Sequence, residues 1–312
     1  PLRRSPGTAT SAMSAAGRMD PLPSPWHLYG MASSPYADQP RLGRRDIVGR
    51  GADVRALRAR IHDAGPASSL QCVVGPVGVG RTTLVRGLKA ALIADAYLAA
   101  DVQAVIGPGD AVDKALGSIL GALHDTVLLS RPQAASHPAM RTAARLVMAA
   151  RLGAHEETGS EHDTLARFRA ERRRRTPALR DVALLDDGPA AMAALAQLVN
   201  VDGDRGVVLH VHIEEHETIA ERTATGDVLH ALRGSMIEAA GIHYVVTGTP
   251  DTVGAVFSTG THGRSAPATH VVPPLTLDAV RELLDRRYAR ARLAEDRPAV
   301  PPVTDEAVAA LH

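Results

Sequence analysis

The residues best equipped for chemistry lie in one short stretch, Gly75-Pro76-Val77-Gly78-Val79-Gly80-Arg81-Thr82-Thr83. Glycines let successive backbone N–H groups turn inward around phosphate oxygens, because they accept backbone angles that a side chain resists. A helix that begins directly afterwards points its N-terminal dipole at the same anion. The spacing follows the phosphate-loop pattern G-x-x-x-x-G-K-[ST], with Thr82 where a hydroxyl would meet Mg²⁺. Arg81 stands at the lysine position. It keeps the positive charge but is wider, planar and differently aimed. The context such a loop needs is present, since Leu70 to Val74 predicts a strand before it and Thr82 to Leu98 a helix after it. The bland alternative is a glycine-rich strand-to-helix turn that binds nothing.

A second constellation is the apolar run Gly206 to Ile213, which predicts a strand ending in Glu214-Glu215. Two acids at the end of one rigid element can divide two tasks. Glu214 would support a metal ion, and Glu215 would activate an attacking water. His210 and His212 share one face of that strand and read either as strand residues or as a pair of metal ligands. A third strand, His243 to Val246, runs into Thr247-Gly248-Thr249. Thr247 or Thr249 can hydrogen-bond a phosphate or a water, or the segment is an ordinary turn into Pro250. Arg172-Arg173-Arg174-Arg175 reads either as a basic patch for nucleic acid or as the solvated end of a helix.

The elements that must position these groups alternate. Helices are expected over 51–63, 82–98, 111–128, 138–153, 161–175, 190–199, 227–239 and 276–292, with another starting at Thr304. Strands fall at 70–74, 102–106, 206–213 and 243–246. This alternation is the grammar of a parallel sheet, so the fold class is α/β. Residues 1–40 read as a mostly disordered arm whose Trp26, Tyr29 and Tyr36 form an anchor. Residues 41–273 read as the main domain, and Pro273-Pro274 marks a boundary before residues 274–312.

Composition narrows the classes. The chain has 312 residues, 45% of them hydrophobic and 3% aromatic, so a sizeable core must rest on Ala, Val and Leu. Basic and acidic residues nearly cancel, at 35 against 34, so only a local patch could favour nucleic acid. Two of those basic residues, Lys89 and Lys114, are lysines. The bias to arginine reads as GC-rich codon usage, which offers a second explanation for Arg81. The single Cys72 forms no internal disulfide and reads as a buried strand residue rather than a nucleophile. No run of about 18 apolar residues occurs, so no membrane helix is expected and a cytoplasmic location is. The acid-free first 19 residues read as a tail rather than a transit peptide.

In order along the chain, these pieces resemble bacterial AAA+ ATPases of the origin-recognition and transposition-ATPase type, and also STAND-type ATPases. Ile47-Val48-Gly49-Arg50-Gly51-Ala52-Asp53 resembles the box that opens such modules beside the adenine. Gly75 to Thr83 resembles Walker A, Val207 to Glu215 resembles Walker B, and Tyr244 to Pro250 resembles the sensor-1 strand. The resemblance implies a three-layer αβα P-loop NTPase domain with a central parallel sheet, followed by the start of a helical lid. It implies ATP and Mg²⁺ as ligands, with Val48, Gly49 and Arg50 near the base. Thr247 would sense the γ-phosphate, and Arg264 would act as an arginine finger in a protein partner or homo-oligomer. A sensor-2 arginine, and often a winged-helix DNA-binding domain, would follow the lid; neither is read in these residues. Three readings stay open: an ATPase that remodels a protein or DNA complex, a nucleotide-dependent switch or scaffold with little turnover, and a DNA-binding regulator.

Overall fold

The apolar runs of the sequence pair as neighbouring parallel strands. The computed structural model describes residues 24–35, 47–153, 184–200, 204–258, 268–292, 301 and 303–311. Its strands are β1 (Ser69–Val74), β2 (Gln103–Ile106), β3 (Val207–Ile213), β4 (Ile242–Gly248) and β5 (Ala268–Val271). Its α-helices are α1 (Gly51–Ala64), α2 (Arg81–Ile93), α3 (Val112–Ser130), α4 (Pro138–Gly153), α5 (Leu184–Asn200), α6 (Ile219–Glu238), α7 (Pro250–Ser258), α8 (Leu277–Ala291) and α9 (Asp305–Leu311). All strand pairs are parallel, in the order β2-β3-β4-β1-β5. The chain is therefore α/β with a central parallel sheet.

Both faces of the sheet are covered, as expected for parallel strands. Alternate residues of each strand point to opposite sides. Val73, Val208 and Val245 pack with Leu57, Ile61, Leu84, Leu88 and Leu92 of α1 and α2. Cys72, Val74, Ala104, Ile106, Leu209, Val211 and Tyr244 pack on the other side, against α3 to α6. This arrangement is compatible with three αβα layers.

Several boundaries differ from the sequence reading. Helix α2 stops at Ile93 because the chain reverses at Ala96, whose φ is 65°, and Leu98 then joins β3 through Gly206 and Val208. Helix α5 begins at Leu184, ahead of Pro189, because Leu184 and Gly188 pack on α3; a Cβ on Gly188 would stand 2.8 Å from Leu116. Helix α6 starts at Ile219 rather than near Asp227. Thr218 and Glu221 cap its first turn reciprocally, at 3.2 and 3.0 Å. Helix α7 and strand β5 are additional to the sequence reading. The helix expected over 161–175 lies outside the described residues.

By internal contacts the chain divides into a large unit, Gln39–Leu283, and a small one made of Pro1–Asp38 with Leu284–His312. The division falls within α8. In the small unit, Pro25–Tyr29 forms a 3₁₀ turn closed by the left-handed Gly30, and Met31 bridges to Arg292. Met31 is buried against Tyr288 and Ala291, with Trp26 and Leu284 around it.

The start of β4 carries a buried histidine. His243 has its Nδ1 2.9 Å from Ser69 Oγ, while its Nε2 has no partner. Burial, helped by the nearby His62, pushes its pKa down to about 4. An unfolded chain would protonate this ring near pH 6.5, so its contribution is intact above that pH and lost as pH falls toward 4. In urea unfolding at pH 7 and pH 4, His243→Asn is expected to lose less stability on acidification than the parent. The difference should approach about 3 kcal/mol. Equal losses would assign the acid sensitivity to other groups.

Candidate anion-binding site

Parallel strands deliver their C-terminal ends to one edge of a sheet, where α/β proteins bind ligands. Here the glycine loop follows β1, the two acids follow β3 and Thr249 follows β4.

The loop is shaped by its glycines. Gly78 and Gly80 have φ of +83° and +94°, in the left-handed region that a side chain disfavours. A Cβ on Gly75 would lie 2.7 Å from Val79 Cγ1 and 3.3 Å from the Val272 carbonyl. Gly80 precedes α2, whose first intrahelical bond runs from Leu84 N–H to Gly80 C=O at 2.9 Å. The amides of Arg81, Thr82 and Thr83 thus come before the helix's own ladder. They face outward with the positive end of a 13-residue helix dipole. Arg81 adds a guanidinium whose Nη1 is buried without a hydrogen-bond partner. Desolvation lowers its pKa, and the charge of Glu215 opposes that shift. Outward amides and an orphaned cationic N–H fit an anionic oxygen cluster such as a polyphosphate.

The opening box braces this loop. Ile47 packs over Gly87 of α2, where a Cβ would meet Ile47 Cδ1 at 2.1 Å. Val48 is buried. Gly49, with φ +68°, lies so near Leu275 and Ala279 that a Cβ would stand 3.0 and 2.9 Å from them. Arg50 is 4% exposed and donates from Nη2 to the Val79 carbonyl at 2.8 Å. Its Nη1 lies 3.6 Å from Asp53, which in turn pairs with His270 at 3.0 Å. The guanidinium expected beside a base therefore has two protein partners.

The acids and hydroxyls take distinct places. Glu214 and Glu215 are exposed. Glu214 N–H donates to the Ile106 carbonyl at 3.0 Å, and its Oε2 lies 2.8 Å from where a Gly107 Cβ would stand. Glu215 is the acid whose charge acts on Arg81. Thr247 is fully buried. Its hydroxyl lies 2.8 Å from His210 Nε2 and 3.1 Å from His212 Nδ1, so it serves the sheet interior. Thr249, after β4, offers a half-exposed hydroxyl at this edge; it donates to Thr252 Oγ1 at 2.8 Å. Both histidines have lowered pKa values, each chiefly through burial. Among the described residues, no group of three His, Cys, Asp or Glu stands together to hold a metal ion. A Mg²⁺ held by Thr82, Glu214 and phosphate oxygens needs no such group. Arg264 and Arg172 to Arg175 lie outside the described residues.

Sequence reasoning missed the Thr247 contacts and the Arg50–Asp53–His270 chain. The i,i+3 spacing of Arg50 and Asp53 at a helix start was a visible signal for the second; the unread strand β5 hid His270. No protein-family model matches the chain, and no curated protein matches it.

Gly80 offers a direct check of the loop. Gly80→Ala is expected to destabilise the chain by about 1–2 kcal/mol in urea unfolding, the ordinary cost of a left-handed non-glycine residue. Ala at Gly65, also at positive φ but remote from the loop, controls for backbone strain alone. It should leave anion binding unchanged, whereas Gly80→Ala should weaken it.

Proposed function

We propose that this chain is an ATP-binding protein of the AAA+ kind that hydrolyses Mg-ATP to remodel or regulate a protein or DNA complex. The observation that carries this reading is the glycine loop opening α2, with first-turn amides that precede the helix's own ladder beside an orphaned, buried Arg81 Nη1. The amides of Gly78 to Thr83 and the Arg81 guanidinium would hold the phosphates. Thr82 and Glu214 would hold Mg²⁺, which neutralises phosphate charge and polarises the bond to be cut. Glu215 would accept a proton from the attacking water, from a strand end that keeps it rigidly placed. In this reading Thr249 replaces Thr247 as the hydroxyl that β4 offers to the γ-phosphate, since Thr247 is engaged by His210 and His212. Arg264 would act from a second copy or a partner, and the location would be cytoplasmic.

One observation favours a second reading, a nucleotide-dependent switch with little turnover. The Arg81 guanidinium is broader than an ammonium and already interacts with the charge of Glu215. A planar guanidinium seats differently from an ammonium against phosphate oxygens, so binding can persist while placement for transfer suffers.

ATP binding and phosphate release, measured side by side with Mg²⁺, separate the readings. Glu215→Gln should keep ATP affinity and lower turnover by about 100-fold or more, the usual weight of a general base. Arg81→Lys should raise turnover with little change in affinity. Binding with no turnover in the parent or in Arg81→Lys would establish the switch. Absence of ATP binding in the parent would end both readings.

A further inference from the structure

The interior contact that most directly shapes the glycine loop is made by the box ahead of α1. A trans peptide is planar, with its C=O and the following N–H pointing in opposite directions. Fixing the Val79 carbonyl therefore fixes the direction of the Gly80 N–H. That peptide needs fixing, because Gly80 at φ +94° has no side chain to favour one orientation over another. The carbonyl is held by Arg50 Nη2 at 2.8 Å, from a guanidinium that is almost wholly buried. Asp53, on the first turn of α1, balances that charge, and His270 Nε2 on β5 lies 3.0 Å from the Asp53 carboxylate. Three elements thus converge on one peptide group.

We propose that Arg50, braced by Asp53 and His270, is a positioning device that selects the orientation of the Val79–Gly80 peptide and so presents the Gly80 amide to bound phosphate. Asp53 and His270 act through Arg50 and touch no ligand. The inference rests on the nucleotide reading for its ligand and on the geometry alone for the peptide. Buried charge-assisted hydrogen bonds are among the stronger polar contacts, and losing one partner strands the other. Each brace should therefore matter more to loop geometry than its distance from the loop suggests.

The full chain is the material, with Asp53→Asn, His270→Leu and His270→Gln as variants. The glutamine keeps an N–H donor for Asp53, whereas leucine does not. Two quantities are read: amide hydrogen exchange across residues 76–83 without nucleotide, and Mg-ATP affinity by calorimetry, each beside the melting temperature. Asp53→Asn and His270→Leu should speed exchange in that peptide and weaken ATP binding about tenfold, the scale of one charge-assisted hydrogen bond. Their melting temperatures should fall by no more than a few degrees, the effect of losing one such bond on a domain of this size, and His270→Gln should restore both readouts. Unchanged exchange in Asp53→Asn and His270→Leu overturns the inference. So does a loss that tracks the melting temperature and is not restored by glutamine. Failure of the parent to bind Mg-ATP overturns the nucleotide reading instead, and the exchange measurement still decides whether the brace orients the peptide.

Discussion

The parallel pairing of β1 between β4 and β5 governs the rest of the molecule. Its register sets Val74 opposite both Gly248 and Val271, and Val73 opposite Thr247. With every strand running the same way, the segments after β1, β3 and β4 leave the sheet at one edge. The glycine loop, the paired acids and Thr249 are neighbours for that reason alone. A slip of one residue in β1 would exchange Cys72 and Val73 between the two cores and carry the loop out of line.

With few aromatic residues, the sheet interior is filled partly by polar rings. His210, His243 and Tyr244 are buried on the interior strands β3 and β4, where wholly apolar side chains would be usual. His210 and His212 find a shared partner in Thr247, which ties β3 to β4 by side chains as well as backbone. His243 and Tyr244 leave His243 Nε2 and the Tyr244 hydroxyl unpartnered, and such groups are costly when buried. Lys89 shows the compensated case: its ammonium donates to the Ala100 and Val102 carbonyls at 2.8 and 2.7 Å, ordering the turn into β2.

The sheet was legible because parallel strands covered on both faces are continuous apolar runs, as in Val207 to Ile213. The loop was legible because glycine spacing before a helix has a specific physical cause. Strand β5 was not, since Ala268-Thr269-His270-Val271 is short, mostly exposed and marginal in hydrophobicity. Helix α6 begins with the solvent-facing turn Thr218 to Arg222, where capping rather than apolar periodicity carries the signal. The histidines were noticed as an alternating pair. Their real partner, Thr247, lies 35 residues downstream of His212, a separation that a local reading does not connect. Arg50 was singled out by its box, but its hold on Val79 comes from tertiary structure.

Cys72 lies within β1, fully buried, with its thiol pushed up to about 12 by desolvation. It is the sole cysteine of the chain. A thiol reagent added to the folded protein can react only when β1 opens to solvent and the thiolate forms. The rate of modification is thus an internal clock for opening of the sheet's middle, free of background from any second thiol. Because β1 also launches the glycine loop, slowing of that clock by a ligand would report, in a single kinetic trace, how firmly occupancy at the edge locks the centre of the fold.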